Sequence, residues 1–187
     1  TPLNSEIIDS LQAGDCISLT GTIYAARDAA HKKMYEMILK GQELPFDIIN
    51  QVIYYVGPCP AKPGEVIGSA GPTTSGRMDY YTPTLLEAGL RGMIGKGQRS
   101  REVIESMIIN RAVYFGAVGG AGALIAKCIK QQEIIAFPEL GPEALRRMYV
   151  EDFPLTVIID SRGKNIYEEG IKQFKIIWRK CGKLIFT

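Results

Sequence analysis

The sequence predicts an α/β domain, and three observations carry that prediction. Short apolar runs rich in β-branched residues alternate along the chain with runs of helical apolar periodicity. Turns rich in glycine, proline or hydroxyl residues separate most of these runs. Near the end, residues 155–160 and 165–167 flank the turn Ser161-Arg162-Gly163-Lys164 as a hairpin would, adding antiparallel pairing.

Residues 4–13 read as a short helix with Ile7, Ile8 and Leu11 on one face and Gly14 as its stop. Residues 16–24 alternate apolar and polar positions, as a strand with one buried face does. A helix then opens at Ala26-Arg27-Asp28, with Asp28 as N-cap or first-turn acid. Its buried stripe is Ala30, Met34, Tyr35, Met37 and Ile38, and Gly41 ends it. Residues 51–56 form a second strand, leading into a loop stiffened by Pro58, Pro60 and Pro63. A strand at 65–69 follows.

The next helix starts near Tyr81, with Thr82 as cap, Pro83 at the first helical position and Glu87 three residues after Thr84. Residues 91–94 make a short strand. Ser100 caps a helix that turns Val103, Ile104, Met107 and Ile108 inward. A strand at 112–115 feeds the glycine-rich turn 116–122, which opens a helix over 123–130. That turn has neither the G-x-G-x-x-G nor the G-K-[ST] spacing, so close helix–sheet packing explains its glycines better than phosphate binding. A strand at 134–137 and a short helix at 142–149 precede the hairpin. Phe174, Ile176, Ile177 and Trp178 give the tail apolar side chains to pack. With no repeat and no linker composition, residues 1–187 read as one domain.

Bulk properties narrow the function. At 187 residues the chain can bury a proper core, and 46% hydrophobic with 22% charged residues suits a soluble protein. A net charge of +2 leaves no footprint for nucleic acid. No apolar run spans a bilayer and no signal peptide is visible, so a cytoplasmic protein is expected. Cys16, Cys59, Cys128 and Cys181 lie far apart with no C-x-x-C pair, so no self-contained metal or cluster site is expected. His31 is the only histidine.

The turn Gly71-Pro72-Thr73-Thr74-Ser75-Gly76-Arg77-Met78-Asp79 gathers three hydroxyls beside one guanidinium. It suits a small anion, gripped by the arginine fork with hydroxyls and turn amides as further donors. It is equally an ordinary solvated turn with one surface arginine. Arg27 sits where a strand hands over to a helix N-terminus, either reading an anion or pairing with Asp28 at the surface. Lys96 lies between Gly95 and Gly97, as a point charge for an anion or in a solvated loop. Three cations beside strand ends, with threonine hydroxyls, would suit a small dicarboxylate if the loops converge on one crevice.

Several segments together resemble the C-terminal domain of class I, iron–sulfur fumarases, which in many organisms is a separate beta subunit. They are Gly14-Asp15 with Gly21-Thr22, residues 26–31, Tyr55-Val56-Gly57-Pro58, Gly71 to Met78, Gly95-Lys96-Gly97 and Asp152-Phe153-Pro154. The beta subunit of L(+)-tartrate dehydratase shares the pattern. The resemblance runs in order to about residue 175.

The resemblance implies a swivelling β/β/α three-layer fold, with a mainly parallel central sheet and a second, smaller sheet. It implies reversible hydration of fumarate to (S)-malate, a step of the tricarboxylic acid cycle. A 4Fe–4S cluster would be held by a partner alpha subunit and not by this chain, with the active site between the two. Arg27 and Arg77 resemble the carboxylate clamps and Lys96 the third cation, with Thr74 and Gly71 also binding substrate. Thr73 resembles the base for the C3 proton of malate, although a free threonine hydroxyl is a weak acid and needs nearby cations to serve. Asp28 and His31 would support Arg27. A stand-alone anion- or nucleotide-binding module using residues 116–122, and a purely structural subunit, are the readings of other classes.

Overall fold

The structure is a computed structural model that describes residues 1–118 and 120–170. Six strands form one hydrogen-bonded sheet in the order β1-β2-β3-β4-β6-β5. They are β1 (Cys16–Ala25), β2 (Val52–Tyr54), β3 (Gly92–Gly95), β4 (Val113–Gly116), β5 (Ile129–Ala136) and β6 (Leu145–Ile159). Strands β1 to β4 pair in parallel. Strand β6 runs antiparallel to β1, β4 and β5. The sheet is thus partly parallel, where a mainly parallel one was expected. Its antiparallel part is continuous with the parallel part through β1 and β4, and the additional β1–β6 pairing joins the two flanks.

The long β6 replaces two expected elements. Residues 142–149 read as a helix because Glu143-Ala144-Leu145-Arg146-Arg147-Met148 are good helix formers. In the fold, Arg146 to Val150 pair with β1 on one side and, together with Leu145, with β5 on the other, and that tertiary pairing overrides local propensity. The expected hairpin reduces to a single bridge between Ile159 and Asn165, and residues 166–170 are helical rather than extended. The strand expected at 65–69 is irregular backbone, held to the proline loop by Cys59 N to Ser69 O (2.9 Å) and Gly68 N to Cys59 O (3.2 Å). The strand expected at 134–137 begins earlier, at Ile129, and the helix before it ends at Cys128. The expected packing of the tail lies outside the described residues.

Besides the helical residues 166–170, the helices among the described residues are α1 (Ser5–Ser10), α2 (Asp28–Leu39), α3 (Thr82–Glu87), α4 (Arg101–Asn110) and α5 (Gly122–Cys128), with 3-10 turns η1 (Ser75–Met78) and η2 (Pro138–Glu143). Strand side chains alternate between two cores. Tyr54, Ile94 and Phe115 join Ile8 of α1 and Ile125 of α5 in one. Ile53, Met93 and Tyr114 join Ala30, Met34, Leu85, Val103 and Met107 from α2, α3 and α4 in the other. Ser100 caps α4 as the sequence predicts, accepting from Val103 N at 3.3 Å. Thr82 does not cap α3. It is the first helical residue, and its hydroxyl donates back to Met78 O at 2.9 Å.

Candidate functional site

Parallel strands carry their following loops to one edge, and the predicted cations lie there. Arg27 follows β1 and stands at the N-cap of α2. Lys96 follows β3 directly. The Thr73 turn docks at the end of β2: Thr73 N donates to Tyr55 O (2.7 Å), and Lys96 N donates to Thr73 O (3.3 Å). Thr74 and Lys96 form an isolated parallel bridge. The turn therefore extends the sheet edge instead of hanging in solvent.

Asp28 ties the two arginines together. Its Oδ1 accepts from Arg77 Nε at 2.8 Å, and its Oδ2 lies 3.3 Å from Arg27 Nη2. Arg27 Nη2 also lies 3.3 Å from Glu143 Oε1. The Arg27 side chain is mostly covered, whereas that of Arg77 is more than half exposed. Arg27 packs across Gly57, where a Cβ would stand 2.9 Å from Arg27 Cδ. Lys96 is exposed and has no ion pair among the described residues.

Gly71 lies against the glycine-rich turn. A Cβ on Gly122 would meet Gly71 N at 2.9 Å, and Ala70 N donates to Gly122 O at 3.1 Å. Close backbone packing thus explains Gly122, but against the loop at Ser69 and Gly71 and not helix on sheet as the sequence suggests.

His31 is fully buried on α2. Its Nδ1 is 2.9 Å from Arg27 O. A carbonyl only accepts, so Nδ1 carries the hydrogen. Nε2 is buried without a partner, and the ring meets Tyr55 edge-on at 5.1 Å. Burial pushes the His31 pKa down to about 4, so the ring is neutral at pH 7. It supports the backbone of Arg27 and does not face the cations as an acid.

Two charged residues outside the predicted set join the site. Arg99 is buried beneath the Lys96 loop. Its Nε donates to Asp79 Oδ1 (2.7 Å), its Nη2 to Thr82 Oγ1 (2.7 Å) and its Nη1 to Tyr55 OH (3.1 Å). Asp79 Oδ2 also accepts from Ser100 N at 2.6 Å, which fixes the end of the turn against the start of α4. Glu143, from η2, accepts from Ala29 N at 3.0 Å as well as facing Arg27. In sequence nothing sets Arg99 apart from the other residues between Lys96 and Ser100, and Glu143 falls within the helix expected at 142–149.

Among the described residues, no three His, Cys, Asp or Glu side chains lie together as a metal site. Cys16 and Cys59 are exposed on separate elements, and Cys181 lies outside the described residues. Within the same residues, no helix is long and apolar enough to cross a membrane.

The family model for the fumarase C-terminus matches residues 1–170. The chain belongs to the fumarase C-terminus family. It is 43% identical over 159 residues to the class I anaerobic fumarate hydratase of Escherichia coli, covering 84% of this chain and 29% of that protein. It is 40% identical over 160 residues to fumarate hydratase 2 of Leishmania major, covering 84% of this chain and 28% of that protein. The chain thus spans under a third of the length of these fumarases. A protein of Methanocaldococcus jannaschii with the provisional name L(+)-tartrate dehydratase subunit beta is 37% identical over 189 residues, covering 98% of this chain and 95% of that protein. This family member therefore matches one relative nearly end to end, and the fumarases only along part of their length.

Proposed function

We propose that this chain is the beta subunit of a hydro-lyase for the reversible hydration of fumarate to (S)-malate, active with a separate alpha subunit. The observation that carries the reading is the pair Arg27 and Arg77 on one carboxylate, at the sheet edge that also holds Lys96 and Thr73. Family membership supplies the reaction class. In this reading Arg27 and Arg77 grip the substrate carboxylates and Lys96 adds a third positive charge, with donors from Thr74 and the backbone at Gly71. The cations lower the cost of building negative charge as the C3 proton leaves malate. Thr73, pinned by its backbone at both N and O, takes that proton at Oγ1 as the alkoxide, its own hydroxyl proton having first left to water while the three cations balance the negative charge. Asp28 and His31 support Arg27.

The described residues do not form a ligand set for a 4Fe–4S cluster. The partner alpha subunit would hold it, and bound there it would supply Lewis acidity to the departing hydroxyl. The swivelling three-layer arrangement and a cytoplasmic setting belong to the same reading.

A tartrate dehydratase is the second reading, favoured by the near end-to-end match to the Methanocaldococcus protein. The same clamps would hold a dicarboxylate bearing one more hydroxyl. Anaerobic turnover of fumarate and of L-tartrate by the chain combined with its alpha subunit, with each chain alone as control, tests both. Fumarate turnover by the combination alone is the expected result. Preference for tartrate would change the substrate, and turnover of neither with an intact cluster would overturn the hydro-lyase reading.

A further inference from the structure

We infer that Glu143 is a positioning residue for the anion clamp, holding the Arg27 guanidinium from outside helix α2. The inference rests on the reading of Arg27 as a carboxylate grip. Helix α2 has no side-chain cap of its own, because Arg27 occupies the N-cap position and an arginine offers no acceptor. Glu143 brings an acceptor from η2, with Oε2 taking the Ala29 amide at 3.0 Å. A cap needs only that oxygen. The other, Oε1, faces Arg27 Nη2 at 3.3 Å.

Arg27 needs such a hold. Its Nε is buried with no acceptor, so nothing fixes the fork from that side. Nη1 faces Gly57, which offers no side chain to bond. Nη2 carries both ion pairs of this side chain, and one of them is with Asp28, which Arg77 shares. A carboxylate ligand entering between Arg27 and Arg77 competes with Asp28 for the same donors. Glu143 is anchored by a backbone amide and forms no ion pair with Arg77 among the described residues, so it keeps its hold when Asp28 is displaced.

The segment bearing Glu143 is itself braced on α2. Lys33 pairs with Glu139 and lies over the Phe137 ring at 5.0 Å from its centre. Arg146 Nη2 donates to Gly141 O at 3.2 Å and ties η2 to β6. The Pro142 carbonyl packs beside Gly57, next to Arg27. The link between β5 and β6 thereby sets the direction of a clamp residue at the N-cap of α2.

The experiment compares Glu143→Gln, Glu143→Ala and Arg27→Ala in the chain combined with its alpha subunit. In parallel it follows the Arg27 Nε–H signal by nitrogen-15 NMR in the chain alone. Glutamine retains an oxygen for the Ala29 amide but removes the charge on Arg27. Glu143→Gln is expected to keep the melting temperature, shift the Arg27 signal and raise KM about fivefold with a smaller change in kcat. Glu143→Ala is expected to lose the cap as well and melt lower. If Arg27→Ala abolishes turnover while Glu143→Gln leaves KM and the Arg27 signal unchanged, Glu143 is a helix cap only and the inference is overturned. If Arg27→Ala itself turns over normally, the clamp reading fails instead.

Discussion

Arg77 reaches across 49 residues of sequence to donate its Nε to Asp28 Oδ1 at 2.8 Å, on the carboxylate that also faces Arg27. One acid thereby holds two cations of like charge at a common edge, which their mutual repulsion would otherwise oppose. It also occupies donors that a dicarboxylate ligand would use. Asp28→Asn is expected to leave the fold intact, because the site is partly exposed. It should lower kcat/KM of the combined enzyme about tenfold by loosening both arginines. In the Arg77→Ala background the same substitution should cost markedly less, and a double-mutant cycle in kcat/KM measures the difference. Equal effects in both backgrounds would show that the shared carboxylate does not couple the two.

Arg77 is more than half exposed and contributes little to the core, so Arg77→Ala should unfold at the wild-type urea midpoint. Its turnover should nevertheless fall by about two to three decades through loss of a bidentate charged contact in the transition state. Lys96→Ala should fall in the same direction by less, since a single ammonium grips at one point. Steady-state kinetics on the combined chains read both. Full turnover by Arg77→Ala would remove it from the clamp.

The corners of the fold were legible because strand, turn and helix each leave a local mark. Alternation marked β1, the capping Ser100 marked α4, and the glycines marked the turn before α5. What joins these corners was not legible. Asp28 to Arg77 and Glu143 to Arg27 are meetings of distant segments, and nothing local to either residue records them. Strand β6 hides from local reading for the same reason: Glu143 to Met148 favour a helix locally, and strand partners for Arg146 to Met148 on both edges decide otherwise. Arg99 shows the limit most plainly. A basic residue in a glycine-flanked loop reads as solvated, and its burial follows from Asp79, Thr82 and Tyr55 converging from three other positions.

Gly57 admits the Arg27 side chain by what it lacks. A methyl group there would stand 2.9 Å from Arg27 Cδ and 3.0 Å from Nη1. Gly57→Ala pushes on a long side chain and not on the backbone, so the melting temperature should drop by only a few degrees, about 1 kcal/mol in stability. The displaced guanidinium should raise KM for the dicarboxylate well beyond what that loss explains. Unchanged KM would mean that Arg27 has room to yield without leaving its working position.

His31 makes stability depend on acidity. Its folded pKa is pushed down to about 4 by burial, against 6.5 for the exposed ring. Below pH 6.5 the unfolded chain takes up a proton that the folded chain refuses until near pH 4. Stability therefore falls on acidification across that window and levels off below it, by about 3 kcal/mol in all. His31→Asn keeps a donor for Arg27 O and removes the titration. Urea unfolding between pH 7 and pH 4.5 should show a shallower slope for the variant, whatever its stability at neutral pH. Parallel slopes would mean that the folded His31 ring takes up its proton as readily as the unfolded one.

Arg99 should matter to folding before it matters to turnover. Its side chain is fully buried, and its ion pair with Asp79 is largely shielded from water. Replacing it by methionine fills part of the space but strands the Asp79 carboxylate, which then keeps only the Ser100 amide. Removing one partner of such a pair costs about 3–5 kcal/mol, because the remaining charge stays buried without compensation. Arg99→Lys should rescue little, since one ammonium cannot reach Asp79, Thr82 and Tyr55 from a single point as the fork does. The double variant Arg99→Met with Asp79→Asn should recover part of the loss by removing the stranded charge. Urea midpoints for the three variants decide this. A double variant no more stable than Arg99→Met would show that the cost lies in packing against the Tyr55 and Tyr114 rings, over which the guanidinium sits at 5.3 Å, and not in the ion pair.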